Sequence, residues 1–224
     1  MTTTDATDEF TGFPPEALDF YEALEADNTK AFWTEHKGVY ERSVKAPMLA
    51  LCDHLAPEFG TAKMFRPYRD VRFSKDKSPY KTAAAAVLTR ADGDGAQYVA
   101  LSAAGLFIGA GYHDMASDQV ARFRESVDDD TLGSQLADVI DSVTDAGHTV
   151  SGEQLKTRPR GYDENHPRID LLRYKTLTAW HEYGPEPWLH TPEVVDVIAG
   201  AWRDMAPLNA WLERNVGASH QPRR

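Results

Sequence analysis

The chain has 224 residues, of which 42% are hydrophobic and 26% charged, and its net charge is −11. This composition is typical of a soluble globular protein with a sizeable core, and the acidic balance argues against a general nucleic-acid or anionic-membrane binder. No apolar run has the length of a membrane span, and the polar start lacks a signal-peptide pattern, so we predict a cytoplasmic protein. The single cysteine, Cys52, excludes an intrachain disulfide and a cysteine-rich zinc site.

Three apolar stripes at helical spacing occupy the first quarter of the chain. The first stripe follows Pro14-Pro15, where proline suits the first turn of a helix. The second follows Asn28, which we expect to cap its helix, and the third ends at Gly60. These stripes predict a helical hairpin or a three-helix layer.

From Lys63 the apolar period changes from helical spacing to two. In residues 69–74 this alternation places Val71 and Phe73 on one face and polar side chains on the other. Such a pattern is typical of a half-buried strand, so we predict a strand over residues 69–74.

The next segment predicts an antiparallel meander. Residues 83–91 fit either a helix or a strand, and residues 92–95 have the composition of a turn. Residues 97–103 and 106–111 are predicted to be strands joined by a tight turn at Ala104-Gly105.

The last part of the chain returns to helical spacing. Ser117 and Asp129-Asp130 are predicted to start two helices, Leu177 begins a short strand, and Thr191-Pro192 starts a final helix that Pro207 bends. We therefore predict an α+β fold, in which a central antiparallel sheet or meander carries N-terminal and C-terminal helices packed on it.

We also predict the extent of the folded part. One domain is expected over residues 10–215, because no linker or internal repeat divides the sequence. The polar ends, residues 1–9 and 218–224, are predicted to be disordered tails.

The segment from Arg66 to Lys81 is a basic island in this acidic chain. Its six Lys or Arg and two Asp give a local charge of +4, so the rest of the chain carries −15. Grouped cations suit a phosphate, sulfate or carboxylate. Asp70 is expected to orient Arg72, or to act as a base if its pKa is raised. Structural ion pairs explain the same pattern, so both interpretations stay open.

A second basic stretch covers residues 154–175. A solvated charge run is the usual explanation of such a stretch. If the two basic stretches instead face one cleft beside the strand end Gly109–Gly111, they form a single cationic pocket, and we predict this arrangement. The candidate anion-binding residues are Arg69, Arg72, Lys75, Lys81, Arg160 and Lys175, and the candidates for orientation or proton transfer are Asp70, Tyr80, Tyr162 and His166. Histidine spacing fits no ligand pair, so we predict no metal site and assign no cofactor.

The motif from Arg69 to Lys81 resembles the hallmark of an uncharacterised family, the Domain of Unknown Function 2461 family. Further matches at residues 109–112 and 155–175 extend the similarity over roughly residues 10–212. Asp27 stands where this family has an asparagine, and His113 stands where it has proline. The resemblance implies no activity.

Two function hypotheses follow. In the first, the cationic pocket binds a small anionic, phosphate-bearing ligand, either as a binding protein or as an enzyme. The alternative is a non-enzymatic interaction module that docks an acidic protein partner or single-stranded nucleic acid, with Phe73, Tyr80 and Tyr162 stacking. A concave site favours the small ligand, and a flat or convex basic face favours the partner. The sequence assigns no oligomeric state.

Overall fold

The computed structural model describes residues 10–90 and 95–221. The predicted tail residues 1–9 and 222–224 and most of the predicted turn at residues 92–95 therefore lie outside the described residues. Among the described residues, no helix combines the length and the apolar character needed to cross a bilayer.

The first quarter of the chain is helical, as predicted. It contains α1 (Glu16–Ala26), α2 (Lys30–Val39) and α3 (Ala46–Phe59), and a π-helical segment at Tyr40–Lys45 joins α2 directly to α3. The apolar stripes of these helices are buried, so the helices form because each has one face to remove from water.

The N-terminal cap of α2 differs from the prediction. The Thr29 hydroxyl accepts a hydrogen bond from the Phe32 N–H at 3.2 Å, so Thr29 is the cap. The prediction that Asn28 caps α2 is wrong, because the Asn28 side chain is engaged by a segment distant in sequence.

Six strands form one antiparallel sheet with the order β1-β2-β3-β4-β6-β5, and the N-terminal helices and the C-terminal helix pack on it. The strands are β1 (Thr61–Met64), β2 (Ala83–Thr89), β3 (Ala96–Ser102), β4 (Gly105–Tyr112), β5 (Thr149–Ser151) and β6 (Leu177–Tyr183). The α+β prediction is confirmed. The ambiguous segment at residues 83–91 is largely strand, and β3 and β4 confirm the predicted hairpin.

The remaining helices are α4 (Ser117–Asp128), α5 (Asp130–Asp145), the single turn α6 (Ile169–Leu172) and α7 (Glu193–Asn215). A 3₁₀ turn at Pro187–His190 precedes α7. α5 begins where predicted because the Asp129 carboxylate accepts hydrogen bonds from two backbone N–H groups of its first turn.

The predicted strand over residues 69–74 is wrong, because this stretch is a loop. Asp70 Oδ1 accepts a hydrogen bond from the Arg72 N–H at 3.2 Å, and Asp76 Oδ1 accepts one from the Ser78 N–H at 2.9 Å. These local bonds replace a strand ladder. Phe73, placed by the prediction on an apolar face, is 97% exposed.

The chain divides into two compact units. The first comprises Met1–Leu88, Tyr98–Ile108 and Glu182–Gly200, and the second comprises Thr89–Gln97, Gly109–His181 and Ala201–Arg224. Each has its own apolar core. The largest fully buried side chains of the first unit include Phe13, Tyr21, Leu24, Met48, Leu51 and Leu55, and those of the second include Phe123 and Trp202. A single domain over residues 10–215 stays a prediction.

Asp118 holds the end of the described chain against the first turn of α4. Its carboxylate accepts hydrogen bonds from the His220 N–H and from the Ser219 hydroxyl, both at 2.8 Å, and Arg122 Nη1 lies 3.1 Å away. The His220 bond, with help from Ser219 and Arg122, holds the pKa of Asp118 well below its usual range.

We expect acid to release residues 219–221 from α4. Because the pKa of Asp118 is lowered in the folded state, its stabilisation is present above the unfolded pKa of about 4 and is lost as the pH falls below that value. Hydrogen exchange should therefore show the protection factor of the His220 amide falling with acid, and already low in Asp118→Asn at neutral pH. Asp138→Asn, on the exposed face of α5, is the matched control. Equal protection in Asp118→Asn and wild type would contradict this role.

Candidate functional site

The first basic segment forms a loop between β1 and β2, here called the cationic loop (residues 66–81). Its base is paired as in a hairpin: Tyr68 and Tyr80 form an antiparallel bridge, and the Arg69 N–H donates to the Pro79 carbonyl at 2.9 Å. The loop is therefore an extension of the sheet edge with a closed base.

Asn28, in the connection between α1 and α2, fixes this base to the helices of the first unit. Its Nδ2 donates to the Tyr80 carbonyl at 3.0 Å, and its Oδ1 accepts from the Tyr80 N–H at 3.1 Å. The Trp33 ring stacks on the Tyr80 ring with centroids 4.2 Å apart and planes 9° apart. The end of the loop is thus clamped by an amide and an indole.

Within the loop, Asp70 holds Arg72 in a bidentate contact. Arg72 Nε lies 2.9 Å from Oδ1, and Nη2 lies 2.6 Å from Oδ2. The hydrogen bonds from Arg72 lower the pKa of Asp70. A base that works near neutral pH needs a raised carboxyl pKa, so this geometry fits the orienting role that we predicted and opposes the base role.

Asp76 organises the second half of the loop. Its Oδ1 accepts from the Ser78 N–H at 2.9 Å and from the Ser78 hydroxyl at 2.7 Å, and its Oδ2 forms an ion pair with Arg69. Ser78 and Arg69 together hold the pKa of Asp76 well below its usual range. Arg69, a predicted anion-binding residue, is therefore engaged inside the loop.

Lys77 and Lys81 also have partners. Lys77 Nζ donates to the Val71 carbonyl at 2.9 Å, and Lys81 Nζ lies 5.0 Å from the centroid of the Phe65 ring. The second contact has cation–π geometry. Tyr80, a candidate for proton transfer, is only 5% exposed, and burial raises the pKa of its phenol, which therefore stays protonated at neutral pH.

Four cations of the loop are exposed, namely Lys77, described above, and Arg66, Arg72 and Lys75. Arg72 has a side chain that is 77% exposed despite its contact with Asp70. Within residues 10–90 and 95–221, Arg66 and Lys75 are exposed and make no hydrogen bond or ion pair. Phe73 lies between Arg72 and Lys75 in sequence and is 97% exposed.

The second basic stretch is built differently. The Lys175 side chain forms an ion pair with the Glu153 carboxylate, and the Lys175 backbone N–H donates to the Glu153 backbone carbonyl at 2.7 Å. Arg173 donates to the Leu155 carbonyl at 2.9 Å and to the Lys156 carbonyl at 3.2 Å. These cations hold two backbone segments together, so Lys175 and Arg173 contribute to architecture.

Arg168 caps the C-terminal end of α4. Its Nε donates to the Val127 carbonyl at 2.8 Å, and its Nη2 donates to the Asp128 carbonyl at 3.1 Å and to Asp130 Oδ1 at 2.9 Å. Carbonyl groups at a helix end have no partner within the helix, and a cation there also interacts favourably with the helix dipole.

His166, a candidate for proton transfer, has both ring nitrogens engaged. Nδ1 accepts a hydrogen bond from the Arg168 N–H at 3.1 Å, which places the proton of a neutral ring on Nε2. Nε2 lies 3.2 Å from Asp128 Oδ1. His166 therefore links two segments of the second unit, and in this arrangement neither nitrogen is available to a substrate.

Tyr162 lies in an open depression of the second unit. The depression is lined by Arg158, Gly161, Tyr162, Asp163, Glu164 and Asn165. Burial, and then the charge of Asp128, raise the pKa of Tyr162. Two of the lining residues are acidic, so this surface is unfavourable for an anion. Arg160, another predicted anion-binding residue, is exposed and makes no hydrogen bond or ion pair within the described part of the chain.

Gly111, near the end of β4, has a packing role. Gly111 has φ +130°, and a Cβ atom there would lie 2.5 Å from the Leu177 carbonyl oxygen. The backbone of β6 thus occupies the space that we expected a ligand to approach. Gly109–Gly111 and the second basic stretch belong to the second unit, whereas the cationic loop belongs to the first. Their convergence into one pocket stays a prediction.

Sequence reasoning missed the residues that hold the loop base. Asn28 was predicted to cap a helix, and Trp33 belongs to the second apolar stripe, but both contact Tyr80, which is 52 residues from Asn28. No local pattern indicates such a contact, because the partners are brought together only by the fold.

The model of a family described as "Conserved hypothetical protein (DUF2461)" matches residues 16–211. The match includes the cationic loop and the second basic stretch. No curated protein matches the chain.

Removing the Asn28 side chain should loosen the loop base. Asn28→Ala leaves the Tyr80 N–H and carbonyl without partners in a half-buried site, so we expect a loss of about 1–3 kcal/mol in the free energy of unfolding. Denaturant unfolding measures this change. Asn165→Ala is the control, since among the described residues the Asn165 side chain bonds only Asp163, in an exposed turn. Equal stability of Asn28→Ala and wild type would show that the clamp is dispensable.

The architectural role of the second stretch predicts a contrast between two arginines. Arg168→Ala should destabilise the protein by about 1–3 kcal/mol, because the carbonyls at the end of α4 lose their donor. Arg160→Ala, an exposed position, should change the unfolding free energy by less than about 0.5 kcal/mol. If the two variants unfold at the same denaturant concentration, Arg168 does not support α4.

Proposed function

Because the chain belongs to the DUF2461 family of conserved hypothetical proteins, whose description names no activity, we propose a function from the site alone: the cationic loop binds a small phosphate-bearing ligand. The proposed binding residues are Arg72, Lys75 and Arg66, with Asp70 orienting Arg72. This set differs from the sequence prediction, because it adds Arg66 and omits four residues. Arg69 and Lys175 are already paired with carboxylates, Lys81 lies over the Phe65 ring, and Arg160 belongs to the second unit.

The geometry of Arg72 is the observation that carries the proposal. Asp70 engages Nε and Nη2, so the Nη1 donors remain for a ligand, and the side chain is 77% exposed. A guanidinium that is already oriented loses less conformational entropy when an anion arrives. Asp70 therefore supports binding by holding the donor in place.

Charge supports the same proposal. Lys75 and Arg66 make no ion pair within the described residues. The charge of Lys75 is available to an anion, whereas the charge of Arg66 also acts on Asp70, whose pKa it helps to lower. The net charge of −11 repels a long polyanion more strongly than a small ligand that carries few charges. A small phosphate-bearing ligand thus suits a local cationic site on an acidic protein.

The proposal is confined to binding. Asp70 has a lowered pKa, and Tyr80 is buried with a raised one. Neither group is suited to remove a proton at neutral pH, so we propose no reaction.

We also propose the cytoplasm as the compartment. Cys52 is buried, and burial raises the pKa of its thiol to about 11. A protonated, buried thiol without a disulfide partner suits a reducing compartment.

Arg72→Ala tests the proposal, with inorganic pyrophosphate as the probe in titration calorimetry at low ionic strength. The Arg72–Asp70 pair is exposed, so the denaturant concentration at the midpoint of unfolding should stay close to that of the wild type. Pyrophosphate affinity should fall at least about tenfold, because the charge-assisted hydrogen bonds from Arg72 Nη1 are lost.

The control is Lys37→Ala, which removes one exposed positive charge from α2. It should leave the affinity almost unchanged, and added salt should weaken binding to the wild type. Equal pyrophosphate affinity in Arg72→Ala and wild type would rule out the proposed site. A large loss of stability in Arg72→Ala would instead assign the motif to architecture.

A further inference from the structure

Phe73 is the most exposed large apolar side chain among the described residues. It is 97% exposed, compared with 49% for Tyr68 and 43% for Leu49. No ring contact involves Phe73 within residues 10–90 and 95–221. An aromatic side chain left in water is unfavourable, so a partner that covers its face gains the free energy of removing it from water.

The surroundings of Phe73 restrict what that partner is. Arg72 precedes it with free Nη1 donors, and Lys75 follows two residues later without an ion pair in the described chain. A molecule on the Phe73 ring therefore meets positive charge beside an apolar face. Inorganic phosphate and sugar phosphates lack a flat apolar face, whereas a nucleotide carries a planar base and a phosphate group.

We infer that the phosphate-bearing ligand of the cationic loop is a nucleotide whose base stacks on Phe73. This inference rests on the proposed function, since the phosphate is held by Arg72 and Lys75. Stacking requires no base-specific hydrogen bond, because every base has a π face, so the loop should accept several bases. Tyr68, half exposed at the loop base, is a second exposed aromatic ring in the same loop.

The experiment compares adenosine diphosphate with inorganic pyrophosphate, which has the same phosphate groups without the nucleoside. Wild type should bind the nucleotide about tenfold more tightly, as expected for one stacked base. Phe73→Ala and Phe73→Leu should both remove this difference and leave pyrophosphate affinity unchanged. Phe73→Trp should preserve it, because only an aromatic ring provides the stacking face. Leu49→Ala removes another exposed apolar side chain and should have no effect.

The other outcomes separate the inference from the proposed function. If wild type binds both probes equally through Arg72, the stacking inference is wrong and the phosphate site stands. If Phe73→Leu binds the nucleotide as tightly as the wild type does, any apolar side chain at this position is sufficient, and the stacking inference is wrong. An apolar contact of that kind also suits an acidic protein partner. If neither probe binds, both proposals fail.

A single strand of about ten nucleotides that binds far more tightly than the mononucleotide would assign the loop to single-stranded nucleic acid.

Discussion

The arrangement of the cationic loop depends on the two hydrogen bonds between the Asn28 side chain and the Tyr80 backbone. The Asn28 side chain carries both a donating NH2 group and an accepting carbonyl oxygen, so it satisfies the Tyr80 carbonyl and N–H together, as a neighbouring strand does. The stacked Trp33 ring fixes the Tyr80 side chain as well. Within the described residues, the backbone pairing at the loop base joins the loop to the sheet edge, and this clamp ties the same base to the helices of the first unit.

The two basic stretches show that similar compositions serve different purposes. In the second stretch, Arg168 and Arg173 donate to backbone carbonyls, and the Arg168 side chain is only 13% exposed. In the cationic loop, Arg72 contacts a carboxylate at the surface and keeps donors toward solvent. A guanidinium that donates its hydrogen bonds to backbone carbonyls stabilises the fold, whereas one that is held by a carboxylate at the surface keeps donors available to an anion.

The comparison of sequence with structure separates local from distant causes. Helical stripes and the turn at Ala104-Gly105 depend on neighbouring residues, and the predicted helices and the β3–β4 hairpin are confirmed. Residues 69–74 alternate polar and apolar residues as a strand does, but the Asp70 and Asp76 carboxylates bind nearby backbone N–H groups instead. Alternation alone does not distinguish a strand from a loop that satisfies its own backbone.

By itself, the sequence determined the α+β class, the family and the position of the basic island, because apolar periodicity and local charge are properties of adjacent residues. Only the tertiary structure decided which cations of that island are free. Whether Arg69, Arg72 or Lys75 faces a ligand depends on the partners that the folded chain supplies. Asn28 and Trp33, which hold the loop base through Tyr80, come from a segment remote in sequence. The sequence specifies how many charged side chains are present, but the fold decides which of them are paired and which are exposed.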